Sequence, residues 1–516
     1  MTSSTIAPEK AGLGAWLAVA AGTIGALMAT LDISIVNSSL PTIQGEIGAS
    51  GSEGTWIATA YLVAEIVVIP LAAWLQRVIG LRSLLLIAVS FFISFSALCG
   101  LSDTLPVMIA GRIGQGFAGG LLIPTAMTII ATRLPPSQQP VGTAAFGAVA
   151  ILGPVIGPLL GGWLTENLSW HYNFFINVPI GLSLILLLLV GLPHEKPDLK
   201  QLRGADWWGI AGLALGLGCM TVVLEEGQSE QWFASAEIVC LTVFSILGFI
   251  MVAIGQRFAP RPVIKLSLLL NRGFGAVFVT SLALGAVLYG VTFVIPQFLA
   301  AIAGYDAQQA GRVVAISGIP SLMLMAFVPF LIRKLDVRIA VGFGMTVLAI
   351  SCFIDTSLTA DTTGAGFVVS QLMRGGGQIL AMIFLNQAAI SAVSPADAAD
   401  ASGLFNVARN LGGSIGLSLL GTLQAQRLWF HERMIEQSVS ANSLSGQDFI
   451  AAQAAAYGGG ADAQGGALSQ LVQMMSQQAL VMTYSDMFFA VGAGIVLVLP
   501  LVFMLRPLRA GQTMAL

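Results

Sequence analysis

The stretch GAVAILGPVIGPLLGG, residues 147–162, decides how this chain is read. It sets Gly147, Gly153, Gly157 and Gly161 near four-residue spacing, puts Pro154 and Pro158 between them, and closes with Gly162. Four-residue spacing gathers small residues on one helix face, where a neighbouring backbone can approach closely. An internal proline costs a water-soluble helix about 3 kcal/mol or more. In a membrane, surrounding helices and water re-satisfy the carbonyls it frees. The segment is therefore expected to be a bent, closely packed membrane helix at a place where two parts of the protein meet.

Composition agrees. Of 516 residues, 56% are hydrophobic and only 9% charged, against about 25% charged in soluble domains. Mean hydropathy is +0.87. Long continuous apolar runs exclude the alternating pattern of a barrel, so the fold class is an all-α polytopic membrane protein. The net charge of −3 says little about partners. The first apolar run, 13–36, is too long for a signal-peptide core and reads as a retained span. The cysteines Cys99, Cys219, Cys240 and Cys352 all fall in apolar runs and read as core thiols.

Runs of about 20 apolar residues place fourteen spans near 13–40, 54–76, 82–101, 106–132, 140–164, 171–192, 206–225, 237–256, 273–295, 309–332, 338–357, 364–390, 403–426 and 485–505. With the N-terminus inside, the inner segments hold Lys10, Arg77, Arg82, Arg133, Lys196, Lys200, Arg203, Arg257, Arg261, Lys265, Arg272, Arg333, Lys334, Arg338, Arg506 and Arg509. The outer segments hold Arg312, Arg427 and Arg433. Basic residues favour the cytoplasmic side, so both termini are expected in the cytoplasm. The units expected are 1–192, six spans; 193–265, a polar linker and two spans; and 266–516, six spans. The last includes an outer segment, 427–484, whose first part has roughly helical spacing and whose Gly/Ala-rich middle reads as mobile.

Ionisable groups inside spans are costly and are functional candidates. Asp32 in span 1 and Arg112 in span 4 are the leading pair: a buried carboxylate resists ionisation, and a nearby cation restores it. If they meet, proton binding and ion pairing compete, and a cationic substrate could replace Arg112; a permanent structural pair is the alternative. Glu225 and Glu226, at the end of span 7, are further proton-coupling candidates or simply solvated. Candidate cavity residues are Asn37, Tyr61, Glu65, Gln115, Gln378, Asn386, Asn406 and Arg409, each of which could instead bond a neighbouring helix. Arg374 reads as a packing residue. No GxxxxGK[ST], no HExxH and no cysteine–histidine cluster occurs in the sequence. An enzyme, a nucleotide-driven pump, a metal centre and nucleic-acid binding are not expected.

LDISIVNSSLPTI (31–43), GRIGQGFAGGLLIP (111–124) and the opening stretch resemble, in order, the span-1, span-4 and span-5 motifs of the major facilitator superfamily (MFS). SWHYNFFINVPIG (169–181), LEEGQSEQWFAS (224–235), GYDAQQAG (304–311) and GLFNVARNLGGSIGLSLLGT (403–422) resemble its fourteen-span drug:proton antiporters of EmrB/QacA type, and the long outer segment is similar to the EmrB-like branch. The resemblance implies two six-helix bundles with two inserted helices, and a substrate site between the halves near the midplane. It implies proton-driven export of hydrophobic or amphiphilic drugs from the inner membrane of a bacterial cell, with no cofactor beyond the proton gradient. Asp32 and Arg112 take the coupling roles by similarity. It further implies a periplasmic membrane-fusion adaptor, contacted by 427–484, and an outer-membrane channel, besides membrane lipids. A dedicated exporter of one metabolite, fatty acid or siderophore shares the scaffold. A proton-translocating subunit of a membrane complex would carry mid-span lysines and histidines, which are absent here.

One departure matters. The family's loop between spans 2 and 3 reads like GxLADRxGRR; here it is AAWLQRVIGLRS (72–83), with no aspartate. Its charge relay is expected to fall to Arg77 and Arg82, with no partner identifiable from sequence.

Overall fold

The computed structural model describes residues 10–505 except 136, 196, 199, 261, 395–396, 439–443 and 457–460. Both chain ends therefore lie outside it, as do Lys196, Arg261, Arg506 and Arg509. No strand occurs among the described residues. The first half comprises α1 (Leu13–Ile47), α2 (Gly51–Val68), α3 (Ala72–Ile79), α4 (Leu81–Gly100), α5 (Leu105–Arg133), α6 (Gln139–Asn167), α7 (Tyr172–Phe175) and α8 (Asn177–Gly191). A short α9 (Lys200–Arg203) precedes the hairpin α10 (Trp207–Glu226) and α11 (Ala236–Phe258). The second half comprises α12 (Arg272–Ala301), α13 (Ala307–Ala315), α14 (Gly318–Met325), α15 (Val328–Lys334), α16 (Val337–Ile354), α17 (Val368–Ser391), α18 (Ala398–Ser438), α19 (Leu444–Ala456) and α20 (Ala461–Val498).

Polar caps start several of these helices. Ser50 and Glu53 form a reciprocal capping box at α2, as do Asp306 and Gln309 at α13. Asp206, Asn271 and Asp336 accept hydrogen bonds from the first turns of α10, α12 and α16. Each satisfies donors that the start of a helix leaves free. One buried apolar core draws on residues 18–192; a second draws mainly on 252–505, with Ile66, Leu71, Leu213 and Leu217 joining it.

Eleven helical segments are long and apolar enough to cross a membrane, and α6, bent by 42° between Pro154 and Ile156, brings the number to 12 among the described residues. Two of the fourteen expected spans take another form. The segment 309–332 is broken into α13, α14 and α15, with prolines in the first turns of the last two. The segment 403–426 lies within α18, a 41-residue helix whose Asn406, Arg409 and Asn410 dilute its apolar character. Residues 401–408 are all buried, so protein rather than lipid surrounds them.

The opening stretch forms the middle of α6 and touches both halves. A Cβ at Gly153 would overlap Thr30, one at Gly157 would lie 3.2 Å from the Ser34 carbonyl carbon, and one at Gly161 would lie 2.7 Å from the Ile35 carbonyl oxygen. These three glycines seat α6 on α1. Gly147 faces the other half, where a Cβ would lie 2.9 Å from Met325 Cε and 3.2 Å from Ile383 Cδ1. Pro158 meets Gly311 of α13. Two members fall outside this packing: Pro154 is exposed, and nothing lies within 4 Å of a Cβ at Gly162. Four-residue spacing set the α1 face; Gly162, one residue past it, turns away.

Arg77 pairs with Asp400, Arg133 with Glu195, Lys265 with Asp397, and Arg338 Nε donates to the Leu505 carbonyl (2.6 Å). These contacts gather basic residues at one end of the bundle, called here the basic end.

Candidate functional site

Asp32 sits mid-way along α1 and is fully buried. Arg112 Nη1 of α5 donates to its Oδ2 at 2.5 Å. Its Oδ1 accepts from Gln115 Nε2 (3.1 Å) and from Asn177 Nδ2 of α8 (2.7 Å). Arg112 is anchored in turn: Nε donates to the Ile57 carbonyl of α2 (2.9 Å), Nη1 also reaches Gln115 Oε1 (3.1 Å), and the guanidinium lies 4.3 Å from the centre of the Tyr61 ring. Ser96 of α4 accepts from both Gln115 (2.6 Å) and Asn177 (3.0 Å). Three helices thus meet at the carboxylate, and α2 and α4 join the network through Arg112, Gln115 and Asn177. A buried ion pair persists only when its remaining hydrogen-bonding groups are also met, and here each Asp32 oxygen has a donor.

The sequence reading found Asp32, Arg112 and Gln115 and missed Asn177 and Ser96. Asn177 interrupts an apolar run as Gln115 does, but it begins a helix, where an asparagine reads as a terminus. Cys99, expected as a core thiol, is buried and donates to Gln115 Oε1 (3.4 Å). Cys352 is also buried, but Cys240 is exposed on α11, against that expectation. A helix with a lipid face places an apolar thiol outward without penalty.

Several expected cavity residues lie elsewhere. Tyr61 and Gln115 are fully buried in the wall of the first half, serving the Asp32 network. Asn406 Nδ2 donates to the Ser402 carbonyl one turn back in its own helix. Asn386 is buried with its Oδ1 unpartnered. Asn37 is exposed on α1, five residues beyond Asp32. Gln378 lines a cavity in the second half with Arg374, Gln371, Ser317 and Thr292. Arg374 is not a bare packing residue, since its Nη2 donates to Asp355 (2.8 Å) and its Nη1 to Gln371 (2.7 Å).

Glu65 of α2 is buried and within electrostatic reach of Arg409 of α18 and of Arg112. Tyr289 of α12 lies within electrostatic reach of the same Arg409 and Glu65 and of Glu225 of α10. This group therefore draws its members from the two halves and the inserted hairpin. Tyr289 escaped the sequence reading because a lone tyrosine in LALGAVLYGVTF reads as apolar. The alternative of simple solvation does not hold for Glu226. It is buried and accepts from Thr55 (3.1 Å) and Thr59 (2.8 Å) of α2, fastening α10 to the first half. Glu225 accepts from Ser414 and keeps a buried, unpartnered Oε1.

At the basic end, the loop without an aspartate draws carboxylates from elsewhere. Glu195 Oε2 accepts from the Leu81 amide (2.8 Å) and Glu195 Oε1 from Arg133 (3.1 Å), while Asp400 of α18 faces Arg77 at 3.8 Å. Arg82 takes part in no ion pair among the described residues.

At the opposite end, α18 and α20 pack together. Arg427 Nε donates to Asp486 (2.6 Å), which also meets His431 Nε2 (2.7 Å). The middle of 427–484 is helical where described: α19 and the start of α20 pack through Ala454, Ala463 and Ala467. Residues 439–443 and 457–460 lie outside the described residues.

A protein-family model described as "Major Facilitator Superfamily" matches residues 22–417. The chain is 32% identical to the "Colistin resistance protein EmrB" of Acinetobacter baumannii, over 92% of this chain and 93% of that one. It is 32% identical to the "Multidrug export protein EmrB" of Escherichia coli K12, over 92% of each, and 28% identical to the "Fatty acid resistance protein FarB" of Neisseria gonorrhoeae, over 97% of each. Among solved structures it superposes on the proton:xylose symporter XylE with a TM-score of 0.56 at 14% identity, covering 93% of this chain and 94% of that one. The helical architecture, the matched family model and the length of these alignments agree: the chain is a multi-pass membrane protein that belongs to the Major Facilitator Superfamily, in its EmrB-like branch.

Proposed function

We propose that this protein is a proton-coupled exporter of hydrophobic or amphiphilic small molecules, working by alternating access between its two halves. The observation that carries the reading is Asp32: a wholly buried carboxylate held by Arg112, Gln115 and Asn177. A proton arriving there removes the charge that binds Arg112 and lets α1 shift relative to α5 and α8. The other side of α1 carries Thr30, Ser34 and Ile35, which receive the glycine face of α6, and α6 touches α13 and α14 of the second half. Protonation at Asp32 thus has a continuous packed route to the seam between the halves. The pair and the substrate site compete for one conformational equilibrium, which is what coupling requires.

Basic residues favour the cytoplasm, so the basic end faces inward, in the inner membrane of a bacterial cell. Helices α18 and α20, of 41 and 38 residues, are each about 60 Å long, twice the roughly 30 Å hydrocarbon thickness. Their far ends project from the outer face, where a periplasmic adaptor leading to an outer-membrane channel would meet them. The relatives named for multidrug export support a broad substrate range; the one named for fatty acid resistance supports a narrower second reading, export of a single acidic lipid.

The test is efflux from proteoliposomes driven by an imposed pH gradient, with a panel of drugs and fatty acids and with an uncoupler. Export that persists unchanged without the gradient would refute proton coupling. Deletion of 441–468 is expected to spare substrate binding and weaken adaptor capture; unchanged capture counts against the partner assignment.

A further inference from the structure

A proton bound for Asp32 must cross buried protein, and the two sides of that carboxylate differ. The Ala11 amide donates to Gln138 Oε1 (3.2 Å), which sets the start of α1 beside the turn that follows Arg133, at the basic end. On that side of Asp32, Ala21, Met28, Leu184 and Leu188 pack as apolar core. The hydroxyls of Thr23 and Thr125 there donate to carbonyls of their own helices, at Val19 and Leu121. Toward the opposite end, Ser34 and Ser38 likewise return their hydroxyls to their own helix, at Thr30 (3.1 Å) and Ile35 (2.8 Å). Ser39 does not. Its buried hydroxyl meets Thr165 Oγ1 of α6 at 2.8 Å, with either able to donate, and it also reaches the Gly161 carbonyl (3.3 Å). Asn173 Nδ2 of α7 donates to both hydroxyls, at 2.8 Å to Ser39 and 2.9 Å to Thr165. Thr165 is half-buried, so this cluster approaches the surface.

Ser39 is seven residues beyond Asp32, which returns it to nearly the same face of α1, about 10 Å along the axis. The gap is spanned on the facing element. Asn173 and Asn177 are four residues apart, and Ile176 between them keeps a helical backbone (φ −59°, ψ −27°), so the two amides stand one above the other, about 6 Å apart. Asn177 gives its nitrogen to Asp32, as a carboxylate requires. Both asparagines are wholly buried, and the Oδ1 of each has no partner. A buried amide oxygen calls for a donor. One water supplies two, and a pair of hydrogen bonds of about 2.8 Å each fits the spacing of the amides. Val36, Ile43, Ile57, Trp170 and Phe174 pack this end as apolar core.

We propose that Thr165, Ser39, Asn173 and Asn177 form the entry path of the proton: the hydroxyl pair takes it from the end opposite the basic one, and water held by the two amide oxygens hands it to Asp32. Each hydroxyl accepts a proton on one lone pair and releases its own, and the choice of Ser39 between Thr165 and the Gly161 carbonyl lets the pair reset. The amides do not ionise; they are positioning residues that hold the water in line. At the end one O–H bond has formed on Asp32, its charge is cancelled, and the hydroxyls and water are as they began. The inference rests on the proton-coupled reading above and gives it a side of entry.

Arg112 of α5, Tyr61 of α2 and Cys99 of α4 lie within electrostatic reach of Asp32. Helix α8 carries no titratable residue, and α6 carries Glu166 alone, exposed in its last turn. Asn173→Leu and Ser39→Ala therefore alter no charge around Asp32, and should change how fast it is protonated but not the pH at which it is. The test uses the full-length protein in proteoliposomes with a buffered lumen, given an external acid pulse. The readout is the infrared band of a protonated carboxyl, assigned to Asp32 by its loss in Asp32→Asn. Asn173→Leu is expected to slow the rise of that band about tenfold, with the same midpoint pH, and to leave gradient-free substrate exchange within about twofold of the parent. Ser39→Ala is the milder check, slower in the same sense. Asn173→Ser gives up the amide but leaves a hydroxyl and room for water, so it should return most of the rate; a mere strut between α7, α6 and α1 would not be rescued this way. A band that rises at the parent rate in Asn173→Leu, or a serine variant as slow as the leucine one, would overturn the path. If the band shows the expected pattern while no substrate is exported under a pH gradient, the functional reading fails and the path stands.

Discussion

Replacing Asp32 by asparagine separates structure from coupling most sharply. Asparagine keeps the shape and one carbonyl oxygen, which still accepts from Asn177, but it fixes the residue in a neutral, proton-bound-like state. Breaking a buried pair by removing one partner costs about 3–5 kcal/mol, because the other charge is left uncompensated. Arg112 retains the Ile57 carbonyl, Gln115 Oε1 and the Tyr61 ring face, so the loss is expected at the low end, about 3 kcal/mol. Adding Arg112→Gln removes the stranded charge, and such paired neutralisations are often close to neutral, so the double variant should recover to within about 1 kcal/mol of the parent. Coupling should not recover with it. The assays are loss of monodispersity on heating in detergent, pH-gradient-driven efflux, and substrate exchange without a gradient. Both variants should exchange substrate and neither should concentrate it. A double variant that pumps at the parent rate under a pH gradient would refute Asp32 as the coupling group; a single variant as stable as the parent would refute the energetic account of the pair.

Other expectations follow from single contacts. Gly157→Leu should push α6 off α1 at Ser34 and destabilise the fold by about 1–3 kcal/mol, whereas Gly162→Ala, with nothing within 4 Å, should leave heating curves unchanged. Glu226→Ala removes the acceptor for Thr55 and Thr59, bonds to a charged group worth about 1.5–3 kcal/mol each; faster protease cleavage in the turn at 227–231 would register the loosened hairpin. Lys265 and Ser394 hold the Asp397 carboxyl below the ordinary carboxylate range. Its folded value lies below its unfolded one, so its contribution is complete above the ordinary value of about 4 and is lost as pH falls through the folded value. Lys265→Ala should therefore be less stable than the parent at neutral pH by at most about 1 kcal/mol, with the gap closing progressively below about pH 4; a gap that widens in acid would contradict the assignment.

Much of the candidate site was legible because the membrane makes polar residues conspicuous. Asp32, Arg112 and Gln115 stand out in apolar runs, and lipid leaves them nowhere to go but inward. What the runs did not reveal was the partner set. Asn177 sits at a helix start, where polarity is ordinary, and Tyr289 is apolar by composition. Asp400 reads in the sequence as part of a short polar loop from which no geometry follows, although it stands in the first turn of α18. Tyr61 was assigned to a cavity because it lies one turn from Glu65, yet its ring turns inward beneath Arg112.

The sequence by itself determined the class of protein. Hydropathy sets the helices, basic residues mark one end of the bundle, and the glycine spacing of 147–162 requires a close helix neighbour; each follows from local chemistry within one segment. Only the tertiary structure decided which neighbour that is. Gly153, Gly157 and Gly161 receive α1, while Gly147 and Pro158 face the second half. The same holds for the charges: Asp400 reaches Arg77 across more than three hundred residues of chain. A pairing of that kind is fixed by how helices pack side by side, and nothing within either segment encodes it.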